Sequence, residues 1–210
     1  MTVQVKICGV RKFEDVAACV SAGADAVGFN FYLGSPRYLS PEHAAPLVAG
    51  LPAEVTPIGV FVDATPDEVA AAVRASGVKV AQLHGGQSLK EFVGAAPALI
   101  HVVRVRNVAS LPEHLDPHAQ WTLLDTWTDE FGGSGHRFAW NIWEEAKRRY
   151  PSPIWMAGGL TPENVEDLVR RGTPDGVDVA SGVEHHIGQK DPEKIRAFIH
   201  AVRRAQRSLQ

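Results

Sequence analysis

Residues 3–9 read Val-Gln-Val-Lys-Ile-Cys-Gly, and the rest of the chain is understood outward from them. Val3, Val5 and Ile7 alternate with polar partners, the period-two pattern of a strand. Gly9 and Val10 then turn the chain into a helical pattern that begins near Lys12 and runs to about Ala22. Cys8 therefore falls at the C-terminal edge of the first strand, where a side chain is expected to face an open rim. Val16, Cys19 and Val20 share one face of the following helix, and Gly23 ends it, so Cys19 reads as core.

The same grammar recurs along the chain. Ala26 to Asn30 is an apolar run, followed by a loop bearing Gly34, Pro36 and Arg37. Ser40-Pro41-Glu42 then opens a helix with serine at the N-cap and proline at the first helical position. Thr56 to Val62 is a strand, and Thr65-Pro66-Asp67-Glu68 is a capping box ahead of Val69, Ala72 and Val73. Strands follow at Val78–Leu83, Ile100–Val105, Trp121–Asp125, Ile154–Ala157 and Gly176–Val179. Helices are expected at Leu89–Val93, Ala109–His114 and Asn141–Arg149, then behind caps at Thr161-Pro162-Glu163 and Asp191-Pro192-Glu193. These are eight strand-then-helix units of roughly 20 to 33 residues, the weak repeat of alternating parallel β/α architecture. Eight units without a linker predict an α/β fold in one domain over residues 1–210, a closed (β/α)8 TIM barrel. The turn Cys8-Gly9-Val10-Arg11 lacks the dinucleotide fingerprint of an open doubly wound sheet.

Composition narrows the function. The chain has 210 residues, 45% of them hydrophobic, enough for one sizeable core. A formal charge of -3 with both signs interspersed offers no basic stripe, so nucleic acid is not an expected partner. Two cysteines, no signal-peptide pattern and no apolar run of about 18 residues predict a cytoplasmic protein without a membrane partner, with free thiols at Cys8 and Cys19. The five tryptophans are spread through the chain and read as core or rim packing.

In such a barrel, polar residues at the C-terminal strand ends gather at one rim, where active sites lie. Here they are Cys8, Asn30, Asp63, His84, Arg106, Asp125 and Asp178. Taken singly, each has a plain structural explanation: a small hydrophobe for Cys8, a loop cap for Asp125, a hydrogen-bonded histidine for His84. Asp63 reads as helping the turn into the Thr65 helix, and Arg106 as solvated surface. Glycine turns carry more weight. Gly158-Gly159 follows strand seven and Ser181-Gly182 follows strand eight, the two loops between which barrels often cradle a phosphate on backbone N–H groups.

Taken together, Lys6-Ile7-Cys8-Gly9, Ser35-Pro36-Arg37, Gly59-Val60-Phe61-Val62, Gln82-Leu83-His84-Gly85, Leu124-Asp125 with Gly132-Gly133-Ser134-Gly135, Ala157-Gly158-Gly159-Leu160 and Ser181-Gly182-Val183-Glu184 resemble phosphoribosylanthranilate isomerase. The resemblance covers nearly the whole chain in the right order. It implies a cofactor-free, metal-free Amadori rearrangement in tryptophan biosynthesis, acting on a small-molecule substrate as a monomer or homodimer. By the same resemblance Cys8 matches the general base and Asp125 the general acid, and Arg37 the partner of the anthranilate carboxylate. His84 and Asp178 match positions near the substrate, while Gly158, Gly159, Ser181 and Gly182 match its phosphate turns. Departures are Ser134 for the common Thr, Ala139 where an Asp usually caps a helix, and Ala180 for a usual Ser. Rival expectations are another sugar-phosphate isomerase or epimerase on the same barrel, and a catalytically silent sugar-phosphate-binding protein. A metal-dependent epimerase needs converging His and Asp ligands, and a histidine-pathway isomerase an Asp where this chain has Cys8.

Overall fold

The computed structural model describes residues 2–126, 140–150 and 153–209. Eight parallel strands close into a barrel in sequence order: β1 Gln4–Cys8, β2 Ala26–Asn30, β3 Thr56–Val62, β4 Val80–His84, β5 Ala98–Val105, β6 Trp121–Thr126, β7 Ile154–Ala157 and β8 Gly176–Val179. Closure is made by β8 against β1, from Gln4 beside Gly176 to Ile7 beside Val179. Among the described residues the helices are α1 Phe13–Ala22, α2 Pro41–Ala49, α3 Pro66–Ser76, α4 Trp140–Arg149, α5 Val165–Gly172 and α6 Pro192–Arg207. A small antiparallel hairpin, β9 Glu184–His186 with β10 Gln189–Lys190, precedes α6.

Two cores follow from the alternation of strand side chains. Val5, Ile7, Val27, Phe29, Val177 and Val179 point outward and pack with helix residues such as Leu168, Phe198 and Val202. Ala26, Ile58, Val80, Ile100, Val102, Leu123 and Trp155 point inward and fill the barrel. With Val5 and Ile7 outside, Lys6 and Cys8 must point in.

Local chemistry starts the helices where expected. Ser40 accepts from the His43 N–H, Thr65 and Glu68 form the reciprocal capping box, and Asp191 accepts from Glu193 and Lys194. Three expectations are corrected. The fourth and fifth units carry single 3-10 turns, Leu89–Phe92 and Val108–Ser110, in place of α-helices. The helix expected over Ala109–His114 is absent because Pro112 drives Leu111 out of the helical region, to φ -67° and ψ 130°. Helix α5 begins at Val165, a turn later than the Thr161 cap implied, since the Thr161 N–H donates to Asn164 Oδ1 at 2.8 Å and the Asn164 amide donates to the Gly159 carbonyl at 2.9 Å. Ser134, Ala139 and the Gly-rich loop after β6 lie outside the described residues.

Candidate active site

At the C-terminal ends of the strands a cavity of about 320 Å³ is bounded by Cys8, Asn30, Arg37, His84, Asp125, Gly158, Gly159, Asp178 and Ser181, with Gln82 and Ala180 between them. A neighbouring cavity of about 730 Å³ shares Asp125, Gly158 and Gly159 with it and adds Arg104 and Arg106. Most of the rim residues anticipated from strand ends are therefore brought together. Asp63 is not: it borders a separate hollow with His84 and Arg104. Gly182 does not line the main cavity either, because it is pressed against the β7 loop, where a Cβ would come within 1.9 Å of the Leu160 carbonyl oxygen.

Cys8 departs from expectation. It is only 8% exposed, set down inside the barrel mouth instead of on an open rim. Burial pushes its thiol pKa above the ordinary value, with Lys6 pulling the other way and Asp178 adding to the rise. The resting group is thus a neutral thiol. Cys19 is fully buried on the inward face of α1, and burial pushes its thiol up to about 12, which fits its core assignment.

Asp125 stands on β6 beside Ala157 of β7 and Arg104 of β5. Burial raises its carboxyl above the usual range, helped by Asp178 and opposed by Arg104 and Lys6. His84 lies on β4, its ring Nε2 at 3.0 Å from the Gln82 side-chain nitrogen. Burial, together with Lys6 and Arg104, pushes His84 down to about 4, so the ring is neutral at pH 7.

Arg37 rides over Gly9, whose φ of +78° and missing Cβ make room for its side chain. Its Nε and Nη2 donate to the two carboxylate oxygens of Glu184, each at 2.7 Å. Glu184 in turn accepts from Lys190 Nζ at 2.8 Å, and Lys190 also donates to the Ala180 carbonyl at 2.9 Å. Burial would raise the Glu184 pKa, but these two cations outweigh it and hold the carboxyl below its usual range. The loop after β2 and the segment after β8 are stapled to each other through this chain.

Sequence reasoning passed over Lys6, Gln82, Arg104, Glu184 and Lys190. Lys6 is completely buried, and its Nζ donates to Asp178 Oδ1 at 2.9 Å. Its signal was present in the alternation of strand one: if Val5 and Ile7 face the helices, Lys6 shares the inner face with Cys8. Gln82, also buried, leaves its Oε1 without a hydrogen bond, as does His84 with its Nδ1. Among the described residues no three His, Cys, Asp or Glu side chains converge as metal ligands. Nor is any described helix long and apolar enough to cross a membrane.

Residues 5–201 match the family model described as N-(5'phosphoribosyl)anthranilate (PRA) isomerase. The N-(5'-phosphoribosyl)anthranilate isomerase of Dechloromonas aromatica (strain RCB) is 43% identical over 211 residues, covering 100% of both chains. A crystal structure of a phosphoribosylanthranilate isomerase in complex with reduced 1-(o-carboxyphenylamino)-1-deoxyribulose 5-phosphate superposes with a TM-score of 0.83 at 33% identity, covering 96% of this chain and 99% of that one. Monomers generated from the dimeric Thermotoga maritima enzyme superpose with a TM-score of 0.82 at 32% identity, with the same coverage of 96% and 99%. Matched by the family model and, over its whole length, by a named relative on the same barrel, the chain belongs to the N-(5'-phosphoribosyl)anthranilate isomerase family.

Proposed function

We propose that the chain catalyses the Amadori rearrangement of N-(5-phosphoribosyl)anthranilate to 1-(2-carboxyphenylamino)-1-deoxyribulose 5-phosphate, with Asp125 as general acid and Cys8 as general base. One observation carries the assignment of roles: a carboxyl held toward its protonated form on β6 and a thiol on β1 face one cavity from different strands. The reacting form of the pair holds one proton, on Asp125, and leaves Cys8 as the thiolate. Asp125 gives that proton to the ribose ring oxygen, the C1–O bond breaks, and the nitrogen lone pair forms a C1=N iminium. The Cys8 thiolate then takes the C2 proton. The C–H pair becomes the C1=C2 bond, and the C1=N pair returns to nitrogen. The enaminol reaches the aminoketose as the O2 proton is lost and C1 is protonated.

The turns at Gly158-Gly159 and Ser181 take the substrate phosphate on backbone N–H groups, while Gly182 lets the β8 turn close against the β7 loop. With Nε and Nη2 turned to Glu184, Arg37 offers the remaining edge of its guanidinium to the anthranilate carboxylate. Asp178 and His84 border the sugar. The enzyme works in the cytoplasm as a single domain, monomeric or homodimeric, with no cofactor.

The test is the disappearance of anthranilate fluorescence when freshly generated phosphoribosylanthranilate is added, with and without chelator. Turnover that the chelator leaves alone is expected. Asp125→Asn and Cys8→Ala should each lower kcat on the order of 10²-fold or more, with smaller changes in KM. Near-wild-type kcat in either variant would reassign that residue.

A further inference from the structure

Lys6 is a cation with no access to water, at 0% exposure inside the barrel mouth. Burial alone would drive off its proton, yet its partners hold the ammonium above its ordinary pKa. Those partners are arranged by register. Lys6 pairs across the barrel seam with Asp178 on β8, and Cys8, two residues on, pairs with Gly28 on β2. Gly28 shows how tight the arrangement is: a Cβ there would lie 3.0 Å from Cys8 Sγ, 3.0 Å from Lys6 Cε and 3.1 Å from Lys6 Nζ. The thiol and the ammonium thus flank one empty Cβ position, and the carboxylate closes the other side of the ammonium at 2.9 Å.

We propose that Lys6 is the positioning residue of the base: its ammonium, held between Asp178 and Cys8, is the counter-charge against which the Cys8 thiolate forms. Asp178 sets how much of that charge Cys8 receives. The role rests on Cys8 being the base, as inferred above.

Other charges face Cys8 from the neighbouring elements. Lys190 reaches it from β10 and Arg37 from the loop after β2, but both are tied to Glu184. Asp125 on β6 and His84 on β4 face the same cavity, one a carboxyl and the other a neutral ring. Lys6 is the cation whose only ion-pair partner among the described residues is the Asp178 carboxylate. Weakening that pair therefore releases charge to the thiol, and removing Lys6 withdraws it.

The opposite signs make the experiment decisive. Iodoacetamide labelling of Cys8 is followed on the unliganded full chain from pH 7 to 10, with Cys8 and Cys19 resolved by peptide mass spectrometry. Asp178→Asn should label Cys8 about tenfold faster than wild type at pH 8, equivalent to about one pK unit. The double variant Lys6→Met/Asp178→Asn, which leaves no lone buried charge, should label about tenfold slower than Asp178→Asn alone, with its midpoint moved to higher pH. Loss of packing alone would speed labelling in both variants without separating their midpoints. Equal midpoints, or a faster double variant, would overturn the role of Lys6. In turnover, Lys6→Met should lower kcat by about tenfold or more with a lesser change in KM, and an unchanged kcat would also overturn it. Labelling needs no substrate, so a wild-type chain that failed to turn over phosphoribosylanthranilate would sink the isomerase assignment separately from the charge relation.

Discussion

Cys8 and Asp125 are pushed toward protonation by the same surroundings, burial above all, and this shapes the pH dependence. Below the raised Asp125 pKa both groups hold protons and no base exists; above the raised Cys8 pKa neither does and no acid remains. Between them the pair holds one proton, and the reacting form carries it on Asp125 with Cys8 as the thiolate. A bell-shaped kcat/KM profile is expected, with its acid limb above the ordinary carboxylate range and its alkaline limb above the ordinary thiol value. A profile flat across the carboxylate and thiol ranges would break the pairing. His84 adds a stability term of definite sign. Its folded pKa of about 4 lies below the ordinary value of 6.5, so its contribution is complete above pH 6.5 and is lost as pH falls from 6.5 toward 4. The loss is about 3 kcal/mol at most. Urea midpoints at pH 7 and 5 should therefore differ more in wild type than in His84→Gln, and an identical difference would exclude His84 as the source. Arg37→Lys keeps a charge but loses the paired donors that grip Glu184 at 2.7 Å, so KM should rise with kcat nearly kept; an unchanged KM would remove Arg37 from the site. That Cys8, Asp125 and Arg37 would meet at one cavity was legible because each sits in a local motif at or just after a strand end. Glu184 and Lys190 were not, since their role is to hold a residue from a distant loop.

At the scale of elements, the helix starts were legible wherever the cap lies within four residues, as at Ser40, Thr65 and Asp191. The α5 start was misplaced because Asn164 turns back to bind the Thr161 N–H and the Gly159 carbonyl. Those bonds serve the loop more than the helix, fixing the Gly158-Gly159 turn to the head of α5. Gly158 has φ +98°, and a Cβ there would lie 2.0 Å from the Thr126 carbonyl oxygen, a backbone atom that a side-chain rotation cannot clear. Gly158→Ala should therefore displace the turn and raise KM strongly, measurable in the same fluorescence assay, while far-ultraviolet circular dichroism stays near wild type. An unchanged KM would separate this turn from phosphate binding. On the outer layer, Phe198 of α6 is fully buried against the barrel, and Phe198→Ala should cost about 3–5 kcal/mol in urea unfolding.

The whole barrel was legible from eight repeats of one pattern, but its inner face was not, because alternation gives a strand two faces without saying which one meets the helices. Closure resolves it. The seam between β8 and β1 puts Asp178 against Lys6, 172 residues apart in sequence, and Arg37 reaches Glu184 across 147 residues. These two ion pairs are thus highly non-local contacts, and chain-entropy cost places such contacts late in folding. Secondary structure can form unit by unit, since helices such as α2, α3 and α6 carry their own side-chain caps, but the cavity exists only when the last strand docks on the first. After dilution from denaturant, recovery of helical signal should precede recovery of turnover, and thiol protection at Cys8 should return with turnover. The ion pairs at the mouth thereby report that the ring has closed: a half-folded barrel has helices and no catalyst.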